Sequence, residues 1–269
     1  MVGDQNGSAP VLAMEHIRKS FGAVLALSDV NLIVNQREVV ALVGDNGAGK
    51  STLIKAISGV QPMDSGTMMV EGRVVTPRSP IDSARLGIAT VYQDLALCDN
   101  LDVVSNLFLG QEKTSAGFLR SLDMEEVAIG LLARLSVKIK DLRTPVASLS
   151  GGQRQSVAIA RSLLGDPKLV ILDEPTAALG VEQTAEVLGL IERLRDDGHA
   201  VLMISHNLAD VFDVADRIVC LRLGRSVASF TVEDTSEDEV VAAITGVADS
   251  RAQRRRARRE GKGKGGAPS

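Results

Sequence analysis

The sequence predicts an α/β fold in which a parallel sheet is covered on both faces by helices and carries a phosphate-binding loop. Three observations point there. Val39 to Val43, Leu169 to Leu172 and Ala200 to Ile204 are apolar runs without polar alternation, the pattern of strands buried on both faces. The first runs straight into Gly44-Asp45-Asn46-Gly47-Ala48-Gly49-Lys50-Ser51-Thr52, which fits G-x-x-x-x-G-K-[ST] and precedes a helical pattern. From residue 166 to 230 strand and helix patterns alternate, as they do in a parallel sheet.

In chain order, residues 11–37 predict antiparallel strands around a turn at Phe21, and 38–60 the strand, loop and helix of the core. Gly59 to Gly66, with Pro62, Asp64 and Ser65 between, is punctuated as a turn. It leads to short strands, Thr67 to Val70 and Arg73 to Val75. Residues from about 95 to 165 read mainly as helices, among them Met124 to Leu135 and Arg154 to Leu164, and make a smaller subdomain inserted in the core. In the second of these helices Val157, Ile159, Ala160, Leu163 and Leu164 fall mostly on one face, Ser150 is a good N-cap, and Pro167 lies just past the end. Residues 235–247 predict a last short helix, so the folded domain spans 11–247; residues 1–10 and the basic tail 248–269 predict disorder. His16 and His199 lie in no motif and are expected at the surface.

The loop's backbone N–H groups, and the positive dipole end of the helix starting near Lys50, suit a nucleotide's phosphates. Lys50 would reach the β- and γ-phosphates as a point charge, and the Ser51 hydroxyl would ligate Mg²⁺. Ser150-Gly151-Gly152-Gln153 is another helix N-terminus prepared for an anion, though taken alone it reads equally as a plain capped helix. Asp173 and Glu174 end an apolar strand where α/β sheets bind ligands. There Asp173 would hold Mg²⁺ and Glu174 would act as general base on the attacking water; standing alone, the pair also reads as a solvated acidic turn. His206, at the tip of the strand from Ala200, would reach a γ-phosphate as hydrogen-bond donor or proton shuttle.

Taken together, the segments resemble the ATP-binding cassette (ABC) ATPases over about residues 11 to 247. The order matches: phosphate loop, Gln93 within Val91-Tyr92-Gln93-Asp94, the L-S-G-G-Q signature at 149–153, Asp173-Glu174, then His206. The resemblance implies a P-loop NTPase core with an antiparallel β subdomain and the inserted helical subdomain. It implies that Phe21 stacks on adenine, with a core phenylalanine as the alternative, and that Gln93 contacts Mg²⁺ or water. It further implies that Ser150, Gly152 and Gln153 touch the γ-phosphate of ATP held by a second ATPase subunit, most simply a homodimer. One departure stands out. The family usually has Ser-Ala-Leu-Asp where this chain has Ala177-Ala178-Leu179-Gly180, which puts coupling between the two sites in doubt but not nucleotide binding. The stretch from Tyr92 to Gly110 resembles the ATPases of monosaccharide importers of the ribose, xylose and fructose type, which implies permease subunits and a sugar-binding protein as partners.

Composition sets the remaining bounds. The chain has 269 residues, 45% of them apolar, with five Phe, one Tyr and no Trp, so aliphatic residues must do the packing. No apolar run is long enough for a membrane span, and no signal pattern opens the chain, which predicts a soluble, cytoplasmic protein; the importer resemblance implies a peripheral place on the inner face of the cell membrane. Cys98 and Cys220 are too few for a disulfide framework. Residues 251–269 carry eight basic residues against one Glu, a charge of +7, which leaves −11 for the rest of a chain whose net charge is −4. Such a tail suits anionic lipid headgroups, nucleic acid, or no specific partner. A soluble ABC ATPase acting on nucleic acid or the ribosome is the alternative function, and an exporter ATPase another. The first usually carries a long coiled coil or a second cassette, neither present here, so no specific nucleic acid is expected.

Overall fold

The computed structural model describes residues 9–247. The chain opens with a long hairpin, β1 (Leu12–Phe21) and β2 (Val24–Val34), whose turn uses Gly22. Then come β3 (Val39–Val43), α1 (Lys50–Ile57), β4 (Ser65–Val70), β5 (Arg73–Val75), α2 (Pro80–Arg85) and β6 (Ile88–Val91). The inserted segment holds α3 (Val103–Phe108), a small hairpin of β7 (Thr114–Ser115) and β8 (Phe118–Leu119), α4 (Ser121–Arg134) and α5 (Gly151–Ser162). The core resumes with β9 (Leu169–Asp173), α6 (Val181–Asp196), β10 (Ala200–Ile204), α7 (Leu208–Val214), β11 (Arg217–Arg222), β12 (Arg225–Thr231) and α8 (Glu237–Thr245).

Ten of the described strands form one sheet in the order β5-β4-β1-β2-β12-β11-β3-β10-β9-β6. The run from β11 to β6 is parallel and is the predicted core; β1, β2, β4 and β5 form the antiparallel arm. The missing alternation in the central strands has a direct cause. In β3, Val39, Ala41 and Val43 face a core shared with α3, α5, α6 and α7, while Val40 and Leu42 face a second core made by α1 and the arm. Both faces are dry, so polar residues have no place.

Three differences from the sequence reading concern burial and topology. His199 is buried rather than at the surface: its Nδ1 lies 2.6 Å from the Pro167 carbonyl oxygen and its Nε2 3.0 Å from an Arg134 nitrogen. Nδ1–H therefore donates to the carbonyl and Nε2 accepts from the guanidinium, which satisfies both ring nitrogens. His16 is exposed, as expected. The helical insert also contains the β7–β8 hairpin, because Ala116 and Gly117 both adopt positive φ, the conformation of a two-residue hairpin turn. Finally, β12 turns back antiparallel on β11 and meets β2 instead of extending the strand–helix alternation.

Candidate functional site

The phosphate loop occupies the turn from β3 into α1, and its shape is set by close backbone contacts. A Cβ on Gly44, where φ is 154°, would lie 2.3 Å from the Leu221 carbonyl oxygen. One on Gly49, at φ 109°, would lie 2.8 Å from the Ala26 carbonyl oxygen and from Leu27. The loop is thus wedged between β2 and the end of β11, and neither glycine can carry a side chain. Gly49 caps α1 without a side-chain hydrogen bond, so no capping side chain claims the N–H groups of the first turn. Lys50 spans the loop from within, its Nζ donating to the carbonyls of Gly44 at 2.5 Å and Asp45 at 3.2 Å. Ser51 is exposed and Thr52 half-buried beside it.

Two carboxylates end β9. Burial, reinforced by the neighbouring Glu174, pushes the Asp173 carboxyl above the usual carboxylate range, against a smaller pull from Lys50 and Lys55. Glu174 has left-handed backbone, φ 53°, and its N–H donates to the Ile204 carbonyl at 2.9 Å, which pins the strand end to β10. Its side chain is 17% exposed, and Oε2 sits 2.5 Å from Nδ1 of His206, itself 72% exposed. The turn is held by residues the sequence reading passed over. Thr176 donates to Asp210 at 2.5 Å, and the Asn207 amide donates to the same carboxylate at 2.8 Å.

Gly44, Asp45, Asn46, Gln93, Glu174 and His206 line one cavity of about 550 Å³. Its remaining wall is mostly apolar: Leu208 from α7, with Val241 and Ile244 from α8, beside the last helical residue Thr245. Local sequence carries no signal for that wall, since α8 reads only as a short amphipathic helix. Phe21 ends β1 with its ring partly exposed, and Lys19 Nζ lies 5.5 Å from the ring centroid. Its hairpin partner β2 is the strand that touches Gly49.

Ser150, Gly151, Gly152 and Gln153 are not brought into this cavity. They begin α5 through a capping box: Ser150 Oγ accepts from the Gln153 N–H at 3.2 Å, and the Gln153 side-chain oxygen accepts from the Ser150 N–H at 3.1 Å. The helix therefore starts at Gly151, three residues before its apolar pattern. The Gln153 amide nitrogen also donates to the Lys138 carbonyl, so the whole side chain is engaged within the chain. A Cβ on Gly151 would meet Leu179 at 2.9 Å and one on Gly152 would meet Gln183 at 3.1 Å, so these glycines also let α6 pack closely. Ser150 and Gln153 open on a different cavity, also of about 550 Å³, with Ser136, Lys138, Glu182 and Gln183 around it.

Residues 27–177 match the ABC transporter family. Over 238 residues the chain is 45% identical to the xylose/arabinose import ATP-binding protein of Sulfolobus acidocaldarius, covering 88% of this chain and 95% of that one. The fructose import ATP-binding protein of Rhizobium meliloti is 43% identical over 245 residues, 88% of this chain and 94% of its own. A ribose import ATP-binding protein of Streptomyces coelicolor is 42% identical over 89% of this chain, which spans only 48% of that longer protein. Among solved structures, an ATP-binding cassette of an ABC transporter in its ADP conformation superposes with a TM-score of 0.75 at 28% identity, covering 88% and 95% of the two chains.

Proposed function

This chain belongs to the ABC transporter family, and from that premise we propose that it is the ATP-hydrolysing subunit of an importer for a monosaccharide. Two matched relatives of nearly full length carry sugar import in their names. The observation that carries the reading is the single cavity lined by the start of the phosphate loop, Gly44 to Asn46, together with Gln93, Glu174 and His206.

The roles follow from position. The Gly44–Thr52 loop and the free N–H groups opening α1 cradle the phosphates, Lys50 neutralises them, and Phe21 stacks on the adenine. Glu174 is the general base for water attacking the γ-phosphate, and His206, bonded to that carboxylate, orients it and donates to the phosphate. Asp173, Ser51 and Gln93 would hold Mg²⁺. The fit is physical: Asp173 is a carboxylate whose ionisation burial disfavours, and a cation beside it would restore its charge. Among the described residues no three His, Cys, Asp or Glu cluster as a metal cage. That suits an ion bound by one carboxylate, a hydroxyl and the substrate's phosphates. When bound, it would offset phosphate charge. Ser150, Gly151, Gly152 and Gln153 complete the site of a second copy, head to tail, because within one chain the two phosphate nests open on different cavities.

We place the permease at a groove of about 350 Å³ running along Tyr92 to Ala96 toward Arg161. Arg161 fixes that segment by donating to the carbonyls of Leu95 at 2.7 Å and Ala96 at 2.8 Å, so a push there is transmitted to the neighbouring Gln93. No helix of the described residues is long and apolar enough to cross a membrane. In this reading a permease holds the subunit at the inner face, with a sugar-binding protein outside. Capture of tagged Glu174→Gln protein from gently solubilised native membranes, with ATP present, tests the reading. A co-purifying polytopic membrane protein supports it; ribosomes or DNA released by high salt overturn it.

The basic tail lies outside the described residues. Removing 251–269 leaves α8 and both cavities intact, and turnover in solution should stay within about twofold, the scale of a surface change. Binding to anionic vesicles should fall steeply, since each basic residue near a charged surface contributes about 1 kcal/mol. ATPase assays and vesicle flotation of the truncated protein read the two effects separately.

A further inference from the structure

A lysine side chain is seldom covered unless something holds it, and that of Lys19 is only 13% exposed. Its ammonium donates to Asp64 at 2.8 Å and lies over the Phe21 ring, 5.5 Å from the centroid. Asp64 is itself fixed. Its other carboxylate oxygen accepts from the Ser20 N–H at 2.6 Å, and its own N–H donates to the Arg18 carbonyl at 2.9 Å. Lys19 first, and then the Ser20 N–H, hold the Asp64 carboxyl below the usual carboxylate range. One aspartate thus grips Arg18, Lys19 and Ser20, directly ahead of Phe21. The turn that carries it is drawn tight against β1: a Cβ on Gly66, at φ 106°, would lie 2.7 Å from the His16 carbonyl oxygen. That turn follows α1, so one run of chain joins the phosphate loop to the aspartate. An ion pair with a half-exposed partner adds little to stability, which leaves the covering of Lys19 to be explained by what its ammonium faces.

We propose that Lys19 is a positioning residue for the nucleobase: anchored by Asp64, it backs one face of the Phe21 ring and leaves the other face to the base. The inference rests on the reading that Phe21 stacks on adenine. The ring stands 43% exposed at the end of β1, and a ring free to turn must be ordered by the ligand at a cost in affinity. The cation restrains it beforehand. It also changes what the ring offers. Both faces of a phenyl ring carry negative charge, as do those of a purine. A cation drawn to one face makes the opposite face less repulsive to a stacked base. Neither effect requires Lys19 to touch the nucleotide.

Calorimetric titration of full-length variants with ADP and Mg²⁺ tests it without hydrolysis to interfere. Lys19→Met keeps the stem and removes the charge. It should weaken ADP about two- to fivefold, the scale of one exposed cation–π contact. Lys19→Arg can still pair with Asp64 and stack on the ring, so it should bind as the unaltered chain does; an equal loss in both variants would overturn the proposal. Phe21→Ala should weaken ADP at least about fivefold, the scale of a lost base stack, and adding Lys19→Met to it should cost nothing more. A loss that persists without the ring would mean that Lys19 serves the phosphates or the fold, and the proposal would fall. Unchanged affinity in Lys19→Met beside a loss in Phe21→Ala would also end it, with the stacking reading left standing. Unchanged affinity in Phe21→Ala would sink the stacking reading and the proposal together. The sequence has no Trp, so Phe21→Trp puts a lone fluorophore at the ring. ADP should quench its emission, and the quenching curve should move to higher ADP when Lys19→Met is added; a curve that stays in place counts against the cation.

Discussion

Glu174→Gln protein is expected to bind ATP as the unaltered chain does, to turn it over about 10²- to 10⁴-fold more slowly, and to accumulate as a nucleotide-bound dimer. Glutamine keeps the shape and leaves a carbonyl oxygen to accept from His206 Nδ1, so the 2.5 Å contact survives the change. It cannot take a proton from water. The backbone should also survive, because the left-handed conformation at 174 is held from outside the side chain. The N–H bond to Ile204 and the Thr176–Asp210–Asn207 bonds fix the turn on both sides. Because the loop lies on β3 rather than β9, nucleotide affinity has no reason to fall. Single-turnover hydrolysis, nucleotide titration and size exclusion give the three readings. Turnover at the original rate would remove Glu174 from the chemistry.

Lys50→Ala should act through the phosphate loop, and first of all on binding. Its ammonium bonds to the carbonyls of Gly44 and Asp45 and so lies inside the loop's curve, at the place where phosphate oxygens would gather. A hydrogen bond to a charged group is worth about 1.5–3 kcal/mol, so ATP affinity should fall roughly 10- to 150-fold. The fold should tolerate the loss, because the loop is shaped by Gly44 and Gly49 against Leu221 and Ala26, contacts that do not involve the lysine. Titration with a fluorescent ATP analogue and a thermal melt separate the two. Unchanged affinity would contradict the phosphate-binding role; a collapsed melting temperature would show that the two carbonyl bonds hold the loop together.

The sequence made some of this legible because the physics there is local. Strands β3, β9 and β10 lie between two dry cores, and that alone erases polar alternation. A loop that needs backbone room must be glycine-rich, and a helix start needing a side-chain acceptor shows Ser150. Other features depend on partners distant in the chain. His199 is buried because Pro167 and Arg134 converge on it from 32 and 65 residues away. The same holds for the apolar wall of the cavity: α8 is an ordinary capped helix in sequence, and only the return of β12 onto β2 carries it to residues 44–46. Thr176, Asn207 and Asp210 also went unread, since a threonine and a buried aspartate 34 residues apart give no sign of their contact.

One consequence of the two-sided packing of β3 concerns chain length. Its odd residues belong to one core and its even residues to the other, and Gly44 follows without a spacer. Inserting or deleting a single residue would exchange the occupants of both cores and rotate the loop away from Leu221. Substitutions among Val, Ile and Leu, by contrast, cost less than about 1.5 kcal/mol when volume is kept. This strand therefore tolerates changes of spelling and no change of reading frame, whereas the Ala116–Gly117 turn, with open space around Gly117, can be lengthened freely.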